Sequence, residues 1–220
     1  VLADAYVRAS YYPRSDPALL RRGARTRAIV DHIARDGADV FCLQEVEAAL
    51  ITAARTRLAG WDIRYEQKPG KPDGCAICSR VPASDVRALV YGDGSGHLAL
   101  LATVGERRIA TTHIKWDPPG TLQRFAIRQA RELVAARPDI ACGDFNFEPD
   151  DEALRIFLDA AFTDPGGTAT CNPNGRAKRI DYILVRGAAN ALPAIPVADD
   201  APLPSPDMPS DHVPIAVELT

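Results

Sequence analysis

Short apolar runs alternate along this chain with longer stretches whose apolar residues recur at helical spacing, the pattern of a protein that mixes strands and helices. The runs at residues 38–46, 61–65, 75–78, 140–144, 180–185 and 213–219 predict strands. Residues 98–104 and 107–113 predict a hairpin turning on Gly105-Glu106. A first helix is predicted from Asp16-Pro17 to a stop at Gly37, with Leu19, Ile29, Val30 and Ile33 as its apolar stripe. Further helices are predicted over 48–58, 121–136 and 151–160; Leu122, Phe125, Ala126, Leu133 and Val134 carry the stripe of the second of these. Residues 1–7 read as the tail of a strand. Residues 68–74 and 166–179 read as polar loops, and the proline-rich 189–208 as a long surface loop.

Several strands end in polar residues that a core does not ask for. The apolar run before Gly143 is followed by Asp144 and Asn146, two positions apart. On an extended chain that spacing puts both side chains on one face, where a carboxylate can take a proton from water and an amide can hold the water. Gly, Asp and Asn also favour turns, so the stretch alone leaves turn and site open. Glu45, after Gln44, closes another apolar run, and an unpaired buried carboxylate is costly. His113 ends the hairpin, Asp181 opens a strand, and Asp211-His212 precede the last one. Carboxylates and an amide oxygen suit a hard cation such as Mg²⁺, and a His oriented by an acid can carry positive charge near a phosphate. A metal, a base and a cationic donor together are what attack of water on a phosphoester requires.

Composition narrows the partners. The 220 residues, 46% of them hydrophobic, suffice for one sizeable core, and one domain over 1–220 is the expectation. A net charge of −3 argues against a surface that coats long nucleic acid. The basic residues include only four lysines, and the arginine excess is read as compositional for most positions. No apolar run approaches a membrane span and no signal peptide is visible. Among five cysteines, Cys42 and Cys142 sit in apolar runs, while Cys75 and Cys78 make a lone C-x-x-C without the second pair of a zinc site. A reducing cytoplasm fits this set. Because the chain starts at Val1, it is expected to be a segment of a longer protein, with room for fusion to other domains.

LQE at 43–45, GDFN at 143–146, IDY at 180–182 and SDH at 210–212 resemble, in that order, the motifs of the endonuclease/exonuclease/phosphatase (DNase-I-like) superfamily. VLADAYV at 1–7, DGCAI at 73–77 and THIKWDP at 112–118 resemble its deadenylase, nocturnin and Angel-type RNA-processing branch. The resemblance implies an α/β (α+β) four-layer sandwich: two mixed β-sheets face to face, helices outside, and the site at one edge. It also implies roles. Glu45 and Asp211 would serve Mg²⁺ (or Mn²⁺), Asp144 would activate water, and Asn146 would orient water or phosphate. Asp181 would pair with His212 to stabilise the transition state, and His113 would contact a phosphate oxygen. The family's first strand also carries an Asn ligand just ahead of the stretch that matches Val1, so the start of that strand is expected to be missing.

The expected function is a Mg²⁺-dependent phosphoesterase acting on RNA or short oligonucleotides near the 3′ end, in RNA processing or repair, as a monomeric domain. Exonuclease action, 2′,5′-linkage cleavage and removal of a terminal or cyclic phosphate stay open. Trp116 is expected to border the substrate, stacking on a base or else packing its own loop. Arg176, Lys178 and Arg179 are expected to meet one or two phosphates. A phosphatase of small metabolites or lipids is the alternative, and a catalytically inactive binding module is the alternative of another class.

Overall fold

Strands covered on both faces are apolar at consecutive positions, and the central strands here follow that rule. The computed structural model describes residues 1–121 and 124–220. In it, β1 (Val40–Glu47), β2 (Asp62–Gln67) and β3 (Asp73–Ser79) form an antiparallel sheet in the order β1-β3-β2. A second sheet runs β4-β5-β6-β7-β8, built from β4 (Ala83–Val90), β5 (Leu98–Val104), β6 (Arg107–His113), β7 (Ile140–Asp144) and β8 (Asp181–Val185). Its β6–β7 pair is parallel, joined across α3 (Phe125–Ala135), and its other pairs are antiparallel.

The side-chain alternation of these strands builds the layers. Cys75 and Ile77 meet Leu98, Leu100, Ala102, Ile140 and Cys142 between the two sheets. The intervening residues Ala99, Leu101, Ala110 and Ala141 pack instead with Ala130 and Leu133 of α3 and Leu154 and Phe157 of α4 (Glu152–Asp159). On the far side, Val46 and Ala76 pack with Ile29, Val30 and Ile33 of α1 (Thr26–Arg35) and with Leu50, Ile51 and Ala54 of α2 (Ala48–Arg57). Helices, sheet, sheet, helices: the four-layer sandwich implied by the motifs is present. One of its sheets is wholly antiparallel rather than mixed.

Local departures have local causes. Residues 1–7 form no strand; a 3₁₀ turn spans Asp4–Tyr6. The first predicted helix is divided. Asp16 does accept a hydrogen bond from the Ala18 N–H, but only a 3₁₀ turn, Pro17–Leu20, follows it. The chain then turns at Gly23 (φ 75°), and the buried Arg25 ties the segment to the Leu19 and Leu2 carbonyls and to Asp4 before α1 begins. β4 carries no usable apolar pattern because it is an edge strand that is largely exposed. Of the predicted stripe on 121–136, Leu122 lies outside the described residues; α3 itself starts at Phe125. The last strand shrinks to β10 (Val217–Leu219), paired with β9 (Ala189–Ala191), so part of the expected 189–208 loop is strand.

Candidate active site

The strand register places three of the predicted residues side by side. His113 ends β6 opposite Asp144 at the end of β7, and Asp144 lies opposite Asp181 at the start of β8. Close approach of β6 and β7 at this end depends on Gly143: at φ 132°, a Cβ there would overlap the Thr112 carbonyl. His212 arrives from the C-terminal segment through a bridge with Cys171, and its Nδ1 lies 2.8 Å from Asp181 Oδ2. Ligand-type atoms of Asp144, Asp181 and His212 all fall within 4.8 Å of one another.

Glu45 reaches the same volume because β1 is irregular. The register slips between Leu43 and Val46, and Glu45 takes the left-handed conformation (φ 57°). Two consecutive side chains then reach β6 of the other sheet, which simple alternation forbids. Gln44 Nε2 donates to Thr111 Oγ1 at 2.8 Å, and Glu45 Oε1 lies 3.8 Å from His113 Nδ1. His113 Nε2 in turn lies 3.7 Å from Asp144 Oδ2.

Asp144 and Asn146 converge by a different route from the one their spacing suggests. The chain is not extended through them: Asn146 sits at φ 53°, its N–H donates to Asp144 Oδ1 at 2.9 Å, and its Nδ2 donates to the Ile114 carbonyl at 2.9 Å. The turn is what builds this part of the site. Asp211 stands beside His212, with its Oδ2 accepting the Tyr12 hydroxyl at 2.9 Å.

Burial and like charge set the protonation pattern. Burial first, then Asp211, pushes Glu45 up to about 7. Burial first, then Asp181, pushes Asp144 up to about 7. Burial opposes the charge on His212, but Asp181, Asp144 and Asp211 outweigh it and hold the ring well above its ordinary range. His113 is driven the other way, well below its range, by burial and by Lys68. One histidine is held as a cation and the other as a neutral ring.

This pattern bears on which residues suit a metal. The tight Asp144, Asp181 and His212 group has the spacing, and His212 could ligate an ion there only by giving up the proton that its acidic neighbours favour. Glu45 and Asp211 offer oxygen donors that repel one another in a buried setting, a donor set that fits a hard divalent cation.

Trp116 is 56% exposed. That loop is held from both sides: Asn146 grips Ile114, and Asp117 accepts the N–H groups of Phe125 and Ala126 at the start of α3. The basic loop is less available than expected. Arg176 and Lys178 both pair with Glu148, and Arg179 pairs with Asp164. Residues around the site that the sequence reading passed over include Lys68 and Asp73, fully buried as an ion pair, and Tyr12. Asp73 heads the DGCAI stretch, which was the available signal; Lys68 lies in a segment read as a polar loop.

Residues 14–212 match the Endonuclease/Exonuclease/phosphatase family. The chain belongs to this family. Its matched members are phosphatases and nucleases, hydrolases of phosphoester bonds. Protein angel homolog 2 of Mus musculus is 33% identical over 153 residues, 55% of this chain and 28% of that protein. Nocturnin of Drosophila melanogaster is 29% identical over 154 residues, 57% of this chain and 24% of that protein. The matched region thus spans less than a third of either relative, and both are of the nocturnin and Angel types that the motifs resemble. Among solved structures, ANGEL2, a 2′,3′-cyclic phosphatase in complex with adenosine-2′,3′-vanadate, superposes with a TM-score of 0.75 at 20% identity, covering 97% of this chain and 91% of that one. A mannosyl-6-phosphatase of Bacteroides thetaiotaomicron superposes with a TM-score of 0.70 at 17% identity, covering 90% and 91%. At these identities the structures speak for the fold. Among the described residues, no helix is long and apolar enough to cross a membrane.

Proposed function

We propose that this chain hydrolyses phosphoester bonds at the ends of RNA or short oligonucleotides, in a reaction that depends on Mg²⁺ or Mn²⁺. The observation that carries the reading is the row His113, Asp144, Asp181 with His212 ion-paired at its end, 2.8 Å from Asp181. Asp144 accepts the proton of the attacking water; a carboxylate with its pKa near 7 is a stronger base than an ordinary one. Asn146, fixed by the Ile114 carbonyl, keeps its amide oxygen and one N–H to orient that water or a phosphoryl oxygen. His212, held protonated by Asp181, offers positive charge to the developing phosphorane. His113 offers its ring to a phosphoryl oxygen beside Asp144. Glu45 and Asp211 would hold the divalent ion, which supplies Lewis-acid charge on the phosphoryl group when bound.

Kinship with Angel and Nocturnin proteins supports the RNA assignment. The exposed Trp116, on a loop fixed to Asn146 through Ile114, supports a base-stacking neighbour to the scissile phosphate. One observation favours the second reading, a phosphatase of small metabolites: Glu148 already neutralises the basic loop that would follow a strand. An inactive binding module is disfavoured because buried, mutually repelling carboxylates are a cost that a scaffold has no reason to keep. The test is turnover of short RNAs ending in 3′-OH, 3′-phosphate, 2′-phosphate or 2′,3′-cyclic phosphate, beside sugar phosphates and inositol phosphates, with Mg²⁺ and with EDTA. Preference for an RNA end, lost in EDTA, is expected. Full activity in EDTA overturns the mechanism, and faster turnover of a sugar or inositol phosphate than of every RNA end overturns the substrate.

A further inference from the structure

We propose that Lys68 is a positioning residue that fixes His113 in the tautomer carrying its proton on Nε2, the nitrogen that faces Asp144. An ammonium group has three donors and no acceptor. Lys68 Nζ lies 2.5 Å from Asp73 Oδ2 and 3.2 Å from His113 Nδ1. Lys68 is 1% exposed and Asp73 0%, so water does not compete for either contact. Asp73 is itself completed by the Tyr6 hydroxyl at 2.6 Å on its other oxygen. His113 Nδ1 is therefore an acceptor. A neutral ring then has its proton on Nε2, which lies 3.7 Å from Asp144 Oδ2. That distance is too long for a good hydrogen bond, so the N–H remains available to an oxygen brought alongside Asp144.

The surroundings show what Lys68 prevents. An acid beside a histidine ordinarily draws the ring proton toward itself. Asp73 is such an acid, but Lys68 stands between it and His113 and reverses the polarity of the contact. Glu45 Oε1 is a second such acid, 3.8 Å from Nδ1. With the ammonium gone, the ring lies between Glu45 at 3.8 Å from Nδ1 and Asp144 at 3.7 Å from Nε2, and nothing holds the proton on Nε2; a bare Nε2 turns its lone pair toward Asp144 and repels a phosphoryl oxygen. His97 completes the mount. Its ring meets that of His113 edge-on at 5.4 Å, and its Nδ1 donates to the His113 carbonyl at 2.7 Å.

The catalytic consequence rests on the proposed function; the tautomer does not. Long-range ¹H–¹⁵N spectra of the ¹⁵N-labelled, metal-free protein read the two ring nitrogens of His113 directly. Nε2 is expected to be protonated and Nδ1 bare. A Lys68→Met/Asp73→Asn double variant removes both buried charges together, so no lone charge is left in the core. Its His113 proton is expected to be shared between Nε2 and Nδ1, with kcat lower by ~10–100-fold and KM little changed. Lys68→Arg, also a pure donor, is expected to keep the Nε2 tautomer and recover part of kcat. A wild-type ring protonated on Nδ1 or on both nitrogens overturns the proposal, as does an unmoved proton in the double variant. A protein that hydrolyses no phosphoester but shows the expected wild-type spectrum overturns the proposed function and leaves the role of Lys68 standing.

Discussion

His212 Nδ1 and Asp181 Oδ2 meet at 2.8 Å, and this one contact couples the first residue of β8 to a loop residue 31 positions downstream. Asp181 orients the ring and, together with Asp144 and Asp211, outweighs the burial that would discharge it. The two side chains should therefore act as a unit. His212→Gln and Asp181→Asn are each expected to lower kcat by ~10²-fold or more. The double variant should be little worse than the more damaged single, because neither residue retains its role without the other. A four-member cycle of kcat/KM values checks this; losses that multiply would show that the residues act separately.

The two raised carboxylates make a prediction about metal and pH. Glu45 and Asp144 sit near 7 in the folded chain, against ordinary values of 4.5 and 3.8. Between those values and about 7 the folded state holds protons that the unfolded state has released, so these groups lower stability as pH rises through that window. His212, raised, stabilises fully below its ordinary 6.5, and that contribution is lost as pH rises through its higher folded value. His97, lowered by burial to about 4, and His113, also lowered, act oppositely and cost stability as pH falls below 6.5. The metal-free curve blends these opposing effects, but a divalent ion binds only the ionised carboxylates. The Tm increase produced by Mg²⁺ should accordingly be larger at pH about 7.5 than at about 5.5. Thermal unfolding at both pH values, with Mg²⁺ and with EDTA, measures it; an equal shift at both would place the ion elsewhere.

Gly143 supplies a stability test. Its φ of 132° and the Thr112 carbonyl against it leave no room for a Cβ, and Gln44 Nε2 would lie at 3.1 Å. Gly143→Ala should cost at least ~2 kcal/mol. Gly105, at φ 58° on the hairpin with open space around it, is the control, and Ala there should cost ~1 kcal/mol from backbone conformation alone. Urea midpoints of the two variants decide the order.

Much of the fold was legible because the central strands are covered on both faces and read as unbroken apolar runs, as β5 and β7 do. The polar ends of those runs named Glu45, His113, Asp144 and Asp181. What could not be read is equally specific. β4 is an exposed edge strand, and its sequence resembles a loop. The first helix broke at Arg25, whose burial depends on Asp4 and Leu2, contacts distant in sequence. The bulge that lets Gln44 and Glu45 reach the same sheet has no period-two signature. Lys68 lay in a glycine- and proline-rich loop, where a lysine reads as solvated; only the fold shows it buried against Asp73 and His113. Asp144 and Asn146 were found for an incomplete reason, since a turn rather than an extended chain brings them together.

Trp116 carries the prediction about substrate. It is 56% exposed, while its loop is anchored independently by Ile114 through Asn146 and by Asp117 on the first N–H groups of α3. Removing the indole should then leave the fold intact, with a stability change within ~0.5 kcal/mol. If the indole stacks on a base next to the scissile phosphate, its loss should weaken binding of RNA ends by about 1–3 kcal/mol, or roughly 5- to 150-fold in KM. Hydrolysis of a small generic phosphodiester should barely change, because such a substrate has no base to stack. The comparison of Trp116→Ala with wild type on both substrates separates binding from chemistry. An equal loss on both would mean that Trp116 supports the reacting groups and not the base. No loss on either would remove the structural support for an RNA end and favour a small phosphate ester in the same site.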